Sequence, residues 1–244
     1  MNDLISSAKD NLSFLLVCIA IIVGISLVAW LAQRFLCHSS VKATGTRRVV
    51  FTALFSAVAA VLMLLEIPLF FAPSFYKLDL SELPVLLCSF YLGPTAGVIC
   101  ELVKVILKLL LKGTSTAFVG DFANFVVGCA LVLPASVIYH INKTKKSAVA
   151  GMITGTLVMT VFGSLFNAVY LLPKFAQLFG MPMEVIIGMG TKVNPAINSV
   201  STLVLFAVVP FNLLKGVIVS VLTFLLYKRL GPVLFRKKAG AAET

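Results

Sequence analysis

The sequence predicts an all-α integral membrane protein, and the prediction rests on composition, the length of the apolar segments and the grouping of the charges. Apolar residues make up 60% of the 244 residues and charged residues 12%, whereas soluble domains hold roughly 45 to 50% and 25%. A membrane-spanning helix takes about 20 apolar residues. The chain therefore has room for six or seven spans and for no soluble catalytic or nucleotide-binding domain.

The basic residues are concentrated in three patches that alternate with the apolar segments. The patches hold 12 basic residues and one acidic residue, which accounts for the whole net charge of +11. Short loops rich in Lys and Arg lie on the cytoplasmic side of a membrane. The charge thus reports topology, and we expect no nucleic-acid partner. The patches lie at 34–48, 143–146 and 228–244.

The first apolar segment, 12–36, is long enough to cross a bilayer. A cleaved signal peptide carries positive charge before its apolar stretch, but here Asp3, Lys9 and Asp10 precede the segment and a basic patch follows it. We predict a retained helix whose N-terminus lies outside, followed by a cytoplasmic linker at 38–47.

The second span, 49–71, carries two ladders of small residues. Ala53 and Ala57 form one ladder, and Ser56 and Ala60 form the other. Small residues at this spacing let a second helix approach closely. That helix belongs either to a partner subunit or to the same chain, and the spacing alone does not decide between them.

A loop rich in functional groups follows the second span. It places Tyr76, Lys77, Leu78 and Asp79 next to one another. Loops held by a rigid scaffold often carry binding residues, so we expect this loop to face a substrate. The alternative is an ordinary solvated loop.

Two helices follow the loop, at 83–92 and 95–111. The second of them carries Glu101, Lys104 and Lys108 at spacings of three and four residues, which places all three on one face. We predict an ion-paired stripe on this face rather than a proton relay.

The next two spans, 120–140 and 148–172, carry polar residues near their predicted outer ends. Asp121 and Asn124 open the first span, and Asn167 lies near the end of the second. A buried carboxamide needs hydrogen-bond partners, which either a neighbouring helix or a ligand can supply. These residues are therefore candidates for a binding site.

The last span contains an amide and a lysine that no acidic residue of the same span can neutralise. Asn212 and Lys215 are three residues apart and share one helix face. A charge at mid-helix costs roughly 2.5 to 3.5 kcal/mol in a bilayer, so the lysine is expected to face a cavity or to extend to the interface. We favour the cavity, which makes the pair half of a binding site.

A proline sets the predicted bounds of this last span. Pro210 is tolerated in the first turn of a helix and is costly in its interior, so we start the span there and end it at Leu230. Residues 174–198 then form a long outer connection, and 202–209 are too short to span. With this register the amide and the lysine lie in the outer third of the membrane.

The candidate residues suit a flat heteroaromatic ligand that is neutral or weakly anionic. A carboxamide pairs with a lactam or imide edge, and a lysine donates to a carbonyl oxygen. The two histidines are far apart, and the chain has no nucleotide-binding, metalloprotease or serine-hydrolase motif. We therefore predict neither a metal site nor catalytic residues.

Five short motifs follow one another along the chain. They are KLDLSELP at 77–84, LGP at 92–94, GDFANF at 120–125, Asn167 ahead of Leu172-Pro173, and PFNLLKG at 210–216. In this order they resemble the riboflavin-specific substrate-binding (S) component of energy-coupling factor (ECF) transporters. The resemblance implies a six-helix core at 48–230, with 1–37 as an additional N-terminal transmembrane helix and 231–244 as a basic cytoplasmic tail.

The resemblance also implies a function. Such a component lies in the cell membrane, captures riboflavin from outside and docks on a transmembrane T subunit driven by two ATPase subunits. Riboflavin is its transported ligand, with FMN as a second candidate, and it has no cofactor or enzymatic activity. By position, Asn167, Asn212 and Lys215 match the side chains that hold the isoalloxazine ring, and the loop from Tyr76 to Asp79 matches the lid.

The small residues of the second span have a counterpart in the family as well. Ala53 and Ala57 match the residues that meet the T subunit, and we include Ser56 and Ala60 in that surface. Two positions depart from the family pattern, because Asp121 stands where relatives carry Glu and Ala168-Val169 replaces an aromatic pair.

Two other functions stay open on the sequence alone. One is an S component for a different vitamin. The other is a membrane enzyme acting on a lipid, with Asp121 or Glu101 as its catalytic acid or base. The enzyme would need acidic or nucleophilic groups that converge at one membrane level, whereas the sequence offers amides and a lysine.

Overall fold

The computed structural model describes residues 12–37, 45–73, 75–114, 116 and 118–234. Asp3, Lys9 and Asp10, most of the predicted linker and the end of the basic tail lie outside these residues. The described chain is helical apart from short connections and one antiparallel ribbon, in which Ile67–Pro68 pairs with Lys77–Leu78. The ribbon belongs to the lid loop, which we define as residues 65–73 and 75–81.

The helices are numbered in chain order. They are α1 (Leu12–Phe35), α2 (Gly45–Leu64), α3 (Glu82–Leu92), α4 (Pro94–Lys112), α5 (Val119–Asn142), α6 (Lys145–Phe166), α7 (Leu172–Phe179), α8 (Met183–Thr191), α9 (Val200–Leu203) and α10 (Val209–Leu234). Two π turns interrupt the α geometry: π1 (Asn167–Leu171) joins α6 to α7, and π2 (Val204–Val208) joins α9 to α10.

Five helical segments of the described chain are long and apolar enough to cross a membrane. They are α1, α2, α5, the segment from α6 through α7, and the segment from α9 into α10. Helix α3 is shorter, with 11 residues, and α4 carries the predicted charged stripe. The predicted all-α membrane fold is confirmed, with α3 as a short, buried apolar helix.

The predicted long connection at 174–198 is wrong, because most of it is helical. Helix α7 continues from α6 through π1, and α8 follows after Gly180. Phe175 packs on Phe75 of the lid loop with ring centroids 6.2 Å apart, and Ile186 is buried. The Gly, Met and Pro content suggests a loop, but the apolar residues in between form helices that pack against the lid loop.

The predicted start of the last span at Pro210 is also wrong. The helical segment begins at Val200 and runs through α9, π2 and α10 without a break. The Val209 N–H bonds the Val204 carbonyl across the wider π turn, immediately before the proline. A proline lacks an N–H, and this lack is tolerated where the regular α pattern is already interrupted.

Helix α1 packs on the side of the bundle formed by α4 and α5. Ala29 is fully buried in a cluster with Val98 of α4 and Phe125 of α5. Near its end, Gln33 accepts a hydrogen bond from the Thr95 N–H at 3.1 Å, at the start of α4. The additional helix is therefore attached to the core by both apolar contact and a polar cap.

Helices α5 and α6 pack closely against each other through two glycines of α6. A Cβ atom on Gly151 would lie 2.5 Å from the Ala135 carbonyl oxygen, and one on Gly155 would lie 2.4 Å from the Leu131 carbonyl oxygen. These distances leave no room for any side chain at the two glycines. The close approach fixes the two helices that carry Asn124 and Asn167.

Only one of the two small-residue ladders in α2 faces outward. Ser56 and Ala60 are 0% and 1% exposed, and α2 packs chiefly against α4. In this arrangement they present no surface to a partner, because packing within the chain covers them. Ala53 and Ala57 are exposed.

Candidate functional site

A cavity of about 160 Å³ lies between the lid loop, α3, α5, α6, α7 and α10. Its lining combines polar side chains with aromatic rings. The polar residues are Lys77, Glu82, Asn124, Asn167, Asn212 and Lys215, and the aromatic residues are Phe75, Tyr76, Phe175 and Phe211. A mostly apolar cavity with a few orienting polar groups is typical of a small-molecule site.

A larger groove of about 380 Å³ lies between α6 and α10, but it is a poor candidate for such a site. Its walls are aliphatic and aromatic apart from Thr156 and Ser220. Ile153, Leu157 and Val221, which line it, are each more than half exposed. An apolar surface of this kind is expected where a membrane protein meets lipid.

Asn167 and Tyr76 join α6 to the lid loop. The Tyr76 hydroxyl donates to Asn167 Oδ1 at 2.7 Å, and Asn167 Nδ2 donates to the Gly163 carbonyl at 2.7 Å. Both side chains are buried. Each end of the carboxamide therefore has one partner within the protein, and movement of the lid loop would free the lone pair that Tyr76 occupies.

Lys215 is neutralised by two carboxylates from outside its own span. Its Nζ lies 3.0 Å from Asp79 Oδ2 and 3.0 Å from Glu82 Oε1. The lysine and Asp79 are 136 residues apart in sequence. Lys215 does face the cavity as expected, but the cost of its burial is offset by the lid loop and α3.

The two ion pairs belong to a longer chain of alternating charges. Glu82 Oε1 also lies 3.3 Å from Lys104 Nζ, which in turn contacts Glu101 Oε1 at 2.5 Å. Asn124 Oδ1 lies 3.3 Å from the same ammonium group. The predicted stripe on α4 is therefore ion-paired, and it reaches the cavity through Glu82.

Two buried polar atoms at the cavity have no hydrogen-bond partner among the described residues. They are Asn212 Nδ2, a donor, and Glu82 Oε2, an acceptor. Asn212 is 4% exposed and Glu82 is 1% exposed. Buried polar groups are normally paired, so this donor and acceptor indicate where a ligand would bond.

Two of the three asparagines that line the cavity lie in or close to a π turn. Asn167 is the first residue of π1, and Asn212 follows the end of π2 at Val208 by four residues. The two π turns also contact each other. Single π turns inside α-helices are frequent at functional sites, and here they flank the cavity.

Three groups of the lid loop have shifted pKa values. Burial alone would raise the pKa of Asp79, but Lys215, Lys104 and hydrogen bonds from Ser81 outweigh it and hold that pKa below its usual range. Burial raises the pKa of the Tyr76 hydroxyl, which stays protonated. Burial opposes ionisation of Glu66 as well, yet its bonds to Lys112 and Lys77 lower its pKa.

The structure brings most of the predicted site residues to one cavity. Tyr76, Lys77, Asn124, Asn167, Asn212 and Lys215 all line it. Leu78 instead packs in a buried apolar cluster with Tyr76, and Asp79 binds Lys215.

Asp121 does not line the cavity with the other predicted residues. Its carboxylate bonds Lys108 Nζ at 2.6 Å and the Thr114 hydroxyl at 2.9 Å. These bonds hold the side chain toward α4 and the segment that follows it. Asp121 therefore supports the helices around the cavity in this arrangement.

The sequence does not single out Glu82, Phe175 or Phe211 as site residues. Glu82 opens a helix, where acidic residues are ordinary because they suit the helix dipole. Phe175 lies in the segment taken for a loop, and Phe211 is one of 19 phenylalanines. Glu82 and Phe211 do lie inside the motifs at 77–84 and 210–216, but only the tertiary contacts show that these two residues and Phe175 line the cavity.

Comparison with known proteins gives the same picture over most of the chain. A family profile described as ECF transporter, substrate-specific component, matches residues 47–227. Riboflavin transporter RibU of Staphylococcus aureus is 34% identical over 190 residues, which cover 78% of this chain and 93% of the relative. Riboflavin transporter FmnP of Bacillus subtilis is 28% identical over 187 residues, with 76% and 93% covered.

A solved structure agrees with these relatives. The S component of a bacterial ECF transporter superposes with a TM-score of 0.62 and 37% identity, covering 79% of this chain and all of that one. Helix α1 lies outside the residues matched by the family profile. The resemblance found in the sequence motifs is confirmed: the chain belongs to the substrate-specific components of ECF transporters.

Proposed function

We propose that this chain captures riboflavin in the cavity beneath the lid loop and delivers it as the substrate-binding subunit of an ATP-driven ECF transporter. The observation that carries the proposal is the placement of the unpartnered Asn212 amide beside Lys215, between aromatic walls. The relatives named above are riboflavin transporters, which agrees with it. The members of this family are transporter subunits, so we assign no enzymatic activity to the chain.

The side chains of the cavity suit the pyrimidine edge of an isoalloxazine ring. Asn212 Nδ2 and Lys215 Nζ are donors, and a flavin offers ring carbonyls as acceptors. Asn167 can join them by exchanging the Tyr76 hydroxyl for the ligand. Phe175 and Phe211 would then pack against the tricyclic ring.

Charge balance favours a neutral ring over an anionic one at this end of the cavity. Lys215 already contacts Asp79 and Glu82, so a ligand need not bring a negative charge. A carboxylate placed here would meet the buried carboxyl groups unfavourably. This argues against the rival reading in which a vitamin binds through an acidic group beside Lys215.

The lid loop is proposed to open and close over the ligand. The Tyr76–Asn167 hydrogen bond and the Asp79–Lys215 ion pair join it to α6 and α10. Within the lid loop, Lys77 contacts Glu66 at 2.7 Å. Entry of riboflavin requires the Tyr76 and Asp79 contacts to break, and the bound flavin would replace the first of them.

The exposed small residues are proposed to meet the T subunit, which two ATPase subunits drive. Ala53 lies in a groove of about 260 Å³ between α2 and α4, which Thr52 and Ala96 also line. Ala57 is exposed on the same helix. Arg48 and Ile99 also line this groove, and the small residues between them allow a second transmembrane helix to approach closely.

We propose a cell-membrane topology with the N-terminus outside and the C-terminus in the cytoplasm. The basic patches support this orientation through the positive-inside rule. Residues 48–230 then form the substrate-binding domain, 1–37 an additional span, 38–47 a cytoplasmic linker and 231–244 a cytoplasmic tail.

Titration of the purified protein with riboflavin tests the proposal. Riboflavin fluorescence should be quenched on binding, with half-saturation below about 1 μM for a well-buried ligand of this size. FMN in the same assay reports whether a phosphate is tolerated, and thiamine and biotin serve as controls that should not compete. Absence of quenching at micromolar protein would contradict riboflavin as the ligand.

A further inference from the structure

Glu82 lies between the chain of charges and the cavity. Its Oε1 contacts both Lys215 and Lys104, and the residue lines the cavity. Its second oxygen, Oε2, receives no hydrogen bond within the described part of the chain. A buried carboxylate oxygen without a donor is unfavourable, because burial removes the water that would otherwise bond it.

Lys104 and Lys215 cannot bond Glu82 Oε2 without giving up bonds that they already make. Lys104 also bonds Ser81 and Glu101, and Lys215 also bonds Asp79. Two ammonium groups are thus shared among the three carboxylates of Asp79, Glu82 and Glu101. A donor for Oε2 has to come from a further group.

A metal cation is a poor candidate for that group. Hard cations bind where several oxygens converge, and Glu82 is the only carboxylate among the described residues that line the cavity. The other polar groups there are carboxamides, a phenol and lysines. A neutral N–H or O–H donor fits this surrounding better than an added positive charge.

We propose that Glu82 is a recognition residue whose Oε2 accepts a hydrogen bond from the bound flavin. The inference rests on the proposed function and adds an acceptor to a site whose other free atom, Asn212 Nδ2, is a donor. Riboflavin carries two kinds of suitable donor, the imide N–H of its ring and the hydroxyl groups of its ribityl chain. A ligand with only acceptors would leave Oε2 unpaired and would bind more weakly.

Glu82→Gln tests this role with little change in shape. A glutamine has one acceptor oxygen, which the two ammonium groups would retain. Its NH2 group then takes the place of Oε2 and meets the flavin donor with another donor. Riboflavin should lose at least tenfold in affinity, because a charge-assisted hydrogen bond is replaced by an unfavourable contact.

Glu101→Gln is the matched control for the change of charge. Glu101 is equally buried and contacts the same Lys104, but it does not line the cavity. It should change the affinity of all flavins by one common factor. A melting curve and size-exclusion chromatography of both variants show whether each is folded.

The experiment measures three ligands against each variant. They are riboflavin, N3-methylriboflavin, which lacks the imide N–H, and lumiflavin, which lacks the ribityl hydroxyls. Weakly bound analogues are measured by competition against riboflavin. One of these flavins lacks the donor that Glu82 uses, and Glu82→Gln should lower the affinity for that flavin by no more than about twofold. It should lower the affinity for the other two flavins at least tenfold.

The outcomes separate the inference from the proposed function. If Glu82→Gln lowers the affinity for riboflavin and lumiflavin but not for N3-methylriboflavin, the imide N–H is the donor. If it lowers the affinity for riboflavin and N3-methylriboflavin but not for lumiflavin, the donor is a ribityl hydroxyl. An equal loss for all three ligands would overturn the inference, because Glu82 would then act only through Lys215. Failure of the unaltered protein to bind riboflavin would refute the proposed function itself.

Discussion

Replacing Lys215 by Met removes an ammonium group of α10 that contacts the lid loop and lines the cavity. Methionine keeps most of the apolar length of the side chain and carries no charge. In the native protein the ammonium contacts Asp79 and Glu82, each at 3.0 Å. The substitution therefore removes two ion pairs and one proposed bond to the ligand.

Lys215→Met should lower the free energy of unfolding and the affinity for riboflavin by amounts that follow from different contacts. Removing one partner of a buried pair costs about 3 to 5 kcal/mol when the other is left alone. Here Glu82 keeps Lys104 and Asp79 keeps its bonds from Ser81, so we expect about 1 to 3 kcal/mol of lost stability. The lost bond from a charged donor to riboflavin is worth about 1.5 to 3 kcal/mol, or roughly 10- to 150-fold in Kd.

Fluorescence titration measures the affinity, and thermal unfolding in detergent measures the stability. Lys108→Met is the matched control, because Lys108 is also buried and ion-paired, with Asp121 at 2.6 Å, but does not line the cavity. The control should lower the melting temperature while leaving Kd within about twofold, since additivity holds for sites without shared partners.

An unchanged Kd in folded Lys215→Met protein would refute the reasoning. It would mean that the lysine only balances Asp79 and Glu82. Equal losses of affinity in Lys215→Met and Lys108→Met would also refute it, because the effect would then follow from general loosening of the bundle.

Three further predictions concern the lid loop and the outward face of α2. Tyr76→Phe deletes the hydrogen bond that joins the lid loop to Asn167 in the ligand-free protein, worth about 1 kcal/mol, and should raise the riboflavin association rate about fivefold in stopped-flow measurements, whereas Tyr170→Phe should not. An unchanged association rate would show that the phenol does not hold the lid closed. Ala57→Leu should leave the Kd for riboflavin unchanged but abolish riboflavin uptake into cells, because a bulky residue on α2 would keep a helix of the T subunit at a distance. Normal uptake would place the T-subunit contact elsewhere. Glu66 has a lowered pKa, so its contribution to lid closure is present above the ordinary Glu pKa of about 4.3 and is lost as the pH falls through its lower folded pKa. Riboflavin dissociation should therefore accelerate over that pH range in the native protein but not in Glu66→Gln. Parallel pH profiles of the two proteins would contradict this.

The helices and the polar residues of the cavity follow well from local sequence. Apolar segments of sufficient length define the spans, and Asn212 with Lys215 is conspicuous because a charge inside an apolar span is costly. Asn167 and Tyr76 are also identified, and the structure joins them by a hydrogen bond of 2.7 Å. The spans and the polar residues within them can be recognised from the composition of a segment, or from residues that lie one or two helical turns apart along the chain.

The features that the sequence does not reveal depend on distant contacts. The partner of Lys215 comes from a loop 136 residues away, so the lysine appears unpaired in its own span. Glu82 is an ordinary residue for a helix start until its two lysine contacts are known. The helix at Val200 is hidden by Pro210, because the rule against an interior proline assumes regular α geometry and π2 breaks that geometry.

The two π turns also determine which kind of sequence change this site can absorb. A π turn contains one residue more than the α turn it replaces, so deleting a single residue within 204–208 would restore a regular helix. Because a π turn with its extra residue and an α turn without it each complete about one turn of helix, the segments on either side would keep nearly the same rotation about the helix axis. Such a deletion would leave Asn212 and Lys215 facing Asn167 and would remove only the wide turn that precedes Pro210. A deletion between Asn212 and Lys215, where the geometry is regular, would instead rotate the lysine by about 100° relative to the amide and shift it by about 1.5 Å. Loss of one residue there would therefore damage the cavity more than loss of one residue in π2.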